Sequence, residues 1–314
     1  GRIEAGGMLY FDHSTGEAYD SHQVMDRLAQ EIDYKALLDQ KAIHIADLES
    51  VSLSDLDNEH AFNIDQRHTA YSLNQESFKF LLDPILSVGL EKVSAMGYGL
   101  TPNALSKAEG GMSRYFSQRF AQVTNPPLDS LRESDGMTLR VALGAKPTFS
   151  PQESKQLVID SPILQRTQLE RIRLQNTVSH ITLDFLYTPD HDDAKNNEIV
   201  LEKALLDVCL QIEEAAKNNT GIIILSDVRI SKDKAAIPAL LMISAANQHL
   251  TKLGLRFNSS IILETGQAAS PHDIATALGF GASAICPVSV HNRVITHFSD
   301  EQAQQNALDN FQKG

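Results

Sequence analysis

Residues 176–290 predict an α/β fold: a parallel β-sheet with helical crossovers, partial (β/α)-barrel-like or doubly wound, carried beside a helical N-terminal region. Three observations lead there. "GIIILSD" and "SSIILETG" are near-continuous apolar runs of strand length, as parallel strands covered on both faces should be. Between them, "IPALLMISAANQHLTKLG" repeats apolar residues at helical spacing and stops at Gly254. The alternation continues through "SPHDIATALGFG", where Ser270 caps a helix and Pro271 takes its first position, into the strand-like "ASAICPV". Right-handed crossovers then join strands expected near 180–186, 221–225, 260–264 and 283–287 in one sheet.

The earlier elements follow in order. "GGMLYFD", "HSTGE" and "AYD" read as two short strands around a turn. Asp20 or Ser21 caps a helix with Val24, Leu28 and Ile32 at spacing four, and "DYKALLDQ" continues the helical pattern. Residues 41–70 are polar, lack periodicity and read as an irregular connection. Residues 71–175 read as helical with proline punctuation. "NQESFKFLLDPIL" aligns Phe78, Leu81, Leu82 and Ile85, and "GGMSRYFSQRFAQ" aligns Met112, Tyr115, Phe116 and Phe120. "SPILQRTQLERIRL" brings Leu169, Ile172 and Leu174 onto a further helix starting near Arg166 or Thr167. "VSHITLDFLY" is a strand, and "NEIVLEKALLDVCLQIEEAAK" a long helix with Ile199, Leu205, Leu206, Val208, Cys209 and Ile212 on a broad apolar face.

Composition removes whole classes of function. The chain has 314 residues, 42% hydrophobic and 21% charged, with a net charge of −13 and a pI near 5.2. That acidity argues against nucleic acid or an anionic membrane as partner. Cys209 and Cys286 sit in apolar contexts without metal-ligand spacing, as buried thiols of a reducing compartment do. No apolar run reaches the ~18 residues of a membrane span and no signal-peptide pattern opens the chain, so a cytoplasmic protein is expected. Gly1 stands where an initiator methionine would, which suggests a fragment or a processed form.

Parallel sheets bind ligands at the carboxyl ends of their strands. Asp227 follows "IIIL" and Glu264 follows "IIL", so the two strand tips would lie close if their strands are neighbours. Paired carboxylates there suggest acid–base or metal chemistry; alternatively they cap helices and bind loop amides. "ETGQAASPHD" is placed like the flavin-phosphate loop of (β/α) barrels, but it holds one glycine and no lysine or arginine. The acidic loop "TPDHDDAKNN" around His191 has the groups to hold a cation but reads more simply as a solvated loop, and His291 and His297 flank Arg293 near the C-terminus. No GxSxG, GxGxxG, P-loop, CxxC or HExxH occurs, and no metal site is expected.

"YFSQRFAQVTNPPLDSLRE" breaks a helix at Asn125-Pro126-Pro127 and restarts it at once, which makes a rigid elbow. The stretch resembles a signature of the central region of the glutamate synthase large subunit. "SAMGYGLTPNALS", "LVIDSPILQRTQLERI", "IIILSDVRISKDKAAIPALLMISAANQHLTKLGLR" and "IILETGQAASPHDIATALGFGASAICP" follow in the order of that family, and the resemblance covers nearly the whole chain. It implies residues 1–70 as a linker leaving a glutamine amidotransferase domain and residues 71–314 as the central α/β domain. It also implies partner domains in the same polypeptide, one hydrolysing glutamine and one binding FMN beside an iron–sulfur cluster. Ammonia passes between them, and Val123, Thr124, Asn125 and Pro126 are expected to line its tunnel. No cofactor is expected in this chain, which alone is expected to be inactive. Ser130 stands where the family commonly has proline, and Gly99-Leu100 where an acidic residue usually precedes Thr-Pro, so a divergent, glutamate-synthase-like protein also fits. Apart from the resemblance, the strand tips leave open an autonomous (β/α) flavin- or ligand-binding domain of a divergent oxidoreductase.

Overall fold

A computed structural model of the chain describes residues 2–56, 61–91, 111–117, 119, 128, 132–133, 137–146 and 155–314. The chain opens on the expected hairpin, β1 (Tyr10–Asp12) antiparallel to β2 (Glu17–Tyr19). Asp20 caps α1 (Ser21–Glu31) through a capping box with Gln23, and Asp33 caps α2 (Tyr34–Lys41).

The described part of residues 41–70 holds more regular structure than its composition suggests. They hold β3 (Ala42–His44), two 3₁₀ turns, and α3 (Ile64–Ala70) with an Asn63–Gln66 capping box. Strand β3 is too short to show a pattern; its hydrogen bonds go to a strand more than a hundred residues later.

The helix expected around Phe78 forms with a change of phase. It runs from α4 (Gln75–Ser77) through a π turn (Phe78–Leu82) into α5 (Asp83–Val88). Pro84 offers no N–H, and the widened turn accommodates it, the Asp83 N–H donating to the Phe78 carbonyl. The extra residue turns Leu81 outward, 46% exposed, and brings Leu86 inward beside Phe78, Leu82 and Ile85. The amphipathic helix expected from Gly110 is likewise replaced, over its described part. Met112–Tyr115 form a 3₁₀ turn, Phe116 is extended and stacks edge-on against Phe280, and Phe120 lies outside the described residues.

Within the expected helical region lie two strands, β4 (Val141–Leu143) and β5 (Gln156–Ile159), which join β3 in a three-stranded sheet of order β3-β5-β4. Then come α6 (Arg166–Leu174), β6 (His180–Asp184), the short β7 (Leu186–Tyr187), α7 (Ala194–Lys217), β8 (Ile222–Ser226), β9 (Ala235–Ala236), α8 (Ala239–Lys252), β10 (Ser260–Thr265), α9 (Pro271–Gly279) and β11 (Ala284–Pro287). Two further helices, α10 (Val288–His297) and α11 (Glu301–Lys313), end the chain. Bidentate Arg293–Asp83 hydrogen bonds of 2.7 and 2.8 Å, with Arg293 over the Phe78 ring, clamp α10 to α5.

The main sheet has order β11-β10-β8-β6 and every pairing is parallel, as the alternation predicts. Each central strand alternates between two cores. Ile223, Leu225, Ile261 and Leu263 pack with α7, α8 and α9 through Ile212, Met242, Ile243 and Ile274. Ile222, Ile224 and Ile262 face the other way, onto α6 and the three-stranded sheet through Leu169, Ile172, Leu143 and Leu157. Burial on both faces is why β8 and β10 read as unbroken apolar runs. Helix α7 is narrower in burial than its sequence implies, since Ile199 and Leu206 are exposed, and Leu174 at the end of α6 is exposed too.

The two-sided core makes a direct prediction. Ile262→Ala leaves a cavity in a fully buried strand and costs about 2–5 kcal/mol, whereas Leu174→Ala changes stability by less than about 0.5 kcal/mol. Urea midpoints of the two variants at constant m-value check it.

Candidate functional site

The carboxyl ends of β8 and β10 carry the two expected acidic residues, and strand register separates them. Glu264 pairs with Ser226 on one side and Cys286 on the other, so Asp227 stands level with Thr265, one residue further along. Side chains alternate across a sheet. Each carboxylate has its own partners, and among the described residues no side-chain hydrogen bond joins them. They are neighbours in the backbone, where the Asp227 N–H donates to the Glu264 carbonyl at 3.2 Å.

Asp227 is fully buried and accepts four side-chain hydrogen bonds. Thr265 Oγ1 and Gln267 Nε2 donate to Oδ2 at 2.5 and 3.0 Å. The Gly266 N–H and the Tyr71 hydroxyl donate to Oδ1 at 3.0 and 3.1 Å. Tyr71 follows α3, and Ser72 beyond it turns the chain at φ +60°. Its ring lies so close to the loop that a Cβ on Gly266 would come within 2.0 Å of it, so only glycine fits there. Burial pushes the Tyr71 hydroxyl well above the ordinary tyrosine range, and the Asp227 charge adds to this, so it acts as a fixed donor. Gln267 passes the arrangement on: its Oε1 accepts the Ala239 N–H that opens α8.

Glu264, 3% exposed, takes two hydrogen bonds from Arg173 of α6, at 2.6 and 3.2 Å. Fork-to-fork pairing of this kind fixes orientation as well as charge. The strand-tip carboxylates thus bind the chain's own donors, and Asp227 binds a loop amide as the second sequence reading had it.

The phosphate-like loop is closed in the same way. The Ala269 and Ser270 N–H groups both donate to Asp273 Oδ2 at 3.0 Å, and the Gln267 N–H donates to Thr265 Oγ1. Ser113 donates its hydroxyl to the other Asp273 oxygen, and its carbonyl lies 2.8 Å from His272 Nε2. The amides that would cradle a phosphate are held by a carboxylate of the protein. Beside this loop runs an open cleft of about 940 Å³, with Tyr71, Phe78, Lys232, Gln267 and His272 among its lining residues.

The remaining candidates have structural roles. Asp190 of the acidic loop accepts from the Asp192 and Asp193 N–H groups and from Asn196, and among the described residues no cluster of three or more His, Cys, Asp or Glu is placed to hold a metal. Cys209 and Cys286 are buried free thiols, and burial raises both above the ordinary thiol range. Burial drives His291 down to about 3, and its Nε2 accepts the Arg166 N–H. No helix among the described residues is long and apolar enough to cross a membrane.

Comparison with known proteins decides the family. Residues 66–314 match the family model described as the glutamate synthase central domain. The chain belongs to this family. The glutamate synthase central domain seen here is 32% identical over 292 residues to the chloroplastic ferredoxin-dependent glutamate synthase of Spinacia oleracea, covering 91% of this chain and 18% of that one. It is 30% identical over 295 residues to the glutamate synthase [NADPH] large chain of Bacillus subtilis (strain 168), with the same coverages. The ferredoxin-dependent glutamate synthase of Cyanidium caldarium is 31% identical over 307 residues, 97% of this chain and 20% of that one. The chain therefore spans about a fifth of the length of these relatives.

Of the site residues expected from sequence, Val123, Thr124, Asn125 and Pro126 lie outside the described residues. Tyr71, Arg173 and Asp273 were missed. Asp273 had a local signal, the Ser-x-x-Asp spacing of a capping box from Ser270. Tyr71 and Arg173 had none, because their partners are 156 and 91 residues away.

The buried Asp227 also carries a pH signature. Desolvation outweighs its four donors and raises its carboxyl from 3.8 to about 6. The native state thus holds that proton more tightly than the unfolded chain. The resulting stabilisation is complete below about pH 3.8 and is lost as pH rises through about 6, a swing on the order of 3 kcal/mol. The stability difference between wild type and Asp227→Asn, followed by denaturant titration from pH 4 to 7, should shift against wild type by that amount.

Proposed function

We propose that this chain is the central, non-catalytic domain of a glutamate synthase large subunit. In this reading it connects a glutamine amidotransferase domain to an FMN-binding synthase domain and helps form the ammonia tunnel between them in glutamate biosynthesis, a part of nitrogen metabolism. The observation that carries the non-catalytic reading is that the carboxylates and loop amides at the carboxyl end of the parallel sheet are already paired within the chain. Asp227 and Glu264 spend their charge on internal donors, and the loop amides at Ala269 and Ser270 on Asp273. A flavin phosphate needs such amides free, so these residues do not fit FMN. An iron–sulfur cluster needs several thiolates at one place, and Cys209 and Cys286 lie in separate cores. Those groups, and the oxidoreductase chemistry they support, belong in this reading to the other domains of the parent polypeptide. The acidic composition and two buried thiols support a cytoplasmic, reducing setting without nucleic acid or membrane as partner.

The tunnel role rests on the elbow. Neutral ammonia needs a narrow passage of fixed shape that excludes bulk water. Two consecutive prolines supply rigid backbone, and Val123, Thr124 and Asn125 supply small walls with hydrogen-bonding groups. One observation favours a second reading, an autonomous flavin- or ligand-binding domain. The cleft of about 940 Å³ at the carboxyl end of the sheet is of small-molecule size.

Two measurements separate these readings. The purified chain should be colourless and form no glutamate; stoichiometric flavin absorbance would overturn the central-domain reading. In the full-length enzyme, Thr124→Phe should let glutamine hydrolysis continue while glutamate formation from glutamine falls, with free ammonia restoring part of it. If every activity falls together with the melting temperature, as overpacking by about 1–3 kcal/mol would produce, the elbow is scaffold alone.

A further inference from the structure

Helix α3 packs on α10, away from the strand-tip carboxylates, and four polar side chains of these two helices are nearly closed off from solvent. Arg67 and His68 of α3 are 6% and 5% exposed, and His291 and Asn292 of α10 are 3% and 1% exposed. Each holds buried nitrogen without a hydrogen-bond partner: Nε and Nη1 of Arg67, Nε2 of His68, Nδ1 of His291 and Nδ2 of Asn292. Native proteins leave few such groups unpaired, and each one calls for an explanation.

Arg67 is the most demanding member. A guanidinium does not give up its proton in a protein, so burial cannot be relieved by neutralisation. Among the described residues no carboxylate pairs with it. The nearby acids are taken, Glu264 by Arg173 and Asp83 by Arg293. Burial, and then the like charge of Arg166, pull Arg67 below the ordinary arginine range, and the Tyr71 hydroxyl that also acts on it keeps its proton. The same Arg166 charge bears on His291, which accepts the Arg166 backbone N–H at 3.3 Å. His68 stands edge-on to Phe78, ring centroids 4.8 Å apart, beside the Ser289 backbone of α10. Basic groups are thus gathered where α3 meets α10, and the buried cation among them has no counter-charge.

We propose that Arg67, with the Asn292 amide as second donor, forms a binding site between α3 and α10 for a small oxyanion, either inorganic phosphate or a small carboxylate. A guanidinium presents parallel N–H groups in the geometry that such anions accept. A bound anion also removes the cost of leaving a buried charge unpaired. The closure of these nitrogens from solvent restricts the occupant to an ion of that size and leaves no place for a nucleotide or a peptide. The site uses none of the amides held by Asp273, and it would bind its ion whether or not the chain connects two catalytic domains.

The test is calorimetric titration of the chain with sodium phosphate and with sodium acetate, each against sodium chloride at equal ionic strength. At least one of the two anions should bind at a single site and saturate below about 5 mM, too dilute for general exclusion effects on stability. Binding should raise the melting temperature in step with occupancy. Arg67→Met keeps most of the volume and removes the charge. It should bind neither anion and, in chloride alone, melt at least about 2 °C above wild type. Asn292→Asp is isosteric and supplies the counter-charge from within, so it too should melt higher and no longer respond to either anion. Should Arg67→Met fail to fold, the wild-type titration and Asn292→Asp carry the test. Acetate binding alone identifies the occupant as a carboxylate, and phosphate binding alone identifies it as a tetrahedral anion; either upholds the site. Absence of saturable binding of both anions to wild type overturns it. Affinity retained within about twofold in Arg67→Met overturns the assignment to Arg67. An Asn292→Asp variant that melts lower and still binds overturns the place given to Asn292.

Discussion

The carboxylate of Asp227 is the constraint around which the mouth of the sheet is organised. A buried charge persists only where donors surround it, and here they come from separate parts of the chain. Tyr71 arrives from behind α3, Thr265 from the end of β10, and Gly266 and Gln267 from the loop beyond. Each donor has a further consequence. The Tyr71 ring occupies the space over Gly266 and excludes any side chain there. Gln267 reaches on to the first turn of α8, and Ser289 of α10 donates to the Gly266 carbonyl at 2.6 Å. The carboxylate and its donors thereby link α3, β8, β10, α8 and α10.

The same chemistry that makes parallel sheets good binding sites is turned inward. Loop amides and helix N-termini at strand ends are anion receptors, and an anion from the protein fills them. Asp273 accepts from Ala269, Ser270 and Ser113, so the start of α9 is both capped and blocked. On the opposite face Arg173 satisfies Glu264. Buried polar networks that are fully paired rigidify a structure.

The chain is a member of the glutamate synthase central domain family. The chain matches about a fifth of the length of its relatives. Its apolar side chains are well covered around the parallel sheet and poorly covered in the first forty residues.

The sequence by itself determined the parallel sheet. Unbroken apolar runs such as Ile222–Leu225 and Ile261–Leu263 have one stable home, between two layers, and the helix caps at Asp20 and Ser270 are readable because their partners lie three residues away. The family was legible as well, since the motifs that carry it are contiguous. Tertiary structure decided what no local pattern contains. Strand β3 exists because β5 pairs with it, and Leu81 faces outward because a π turn accommodates Pro84. Asp227 and Glu264 were correctly seen as strand tips, but their meaning depended on register. A shift of one residue sends neighbouring side chains to opposite faces, and register is set by hydrogen bonds between strands some forty residues apart. Tyr71 was invisible to sequence for the same reason: its role depends on Asp227, 156 residues away, and only folding brings the two together.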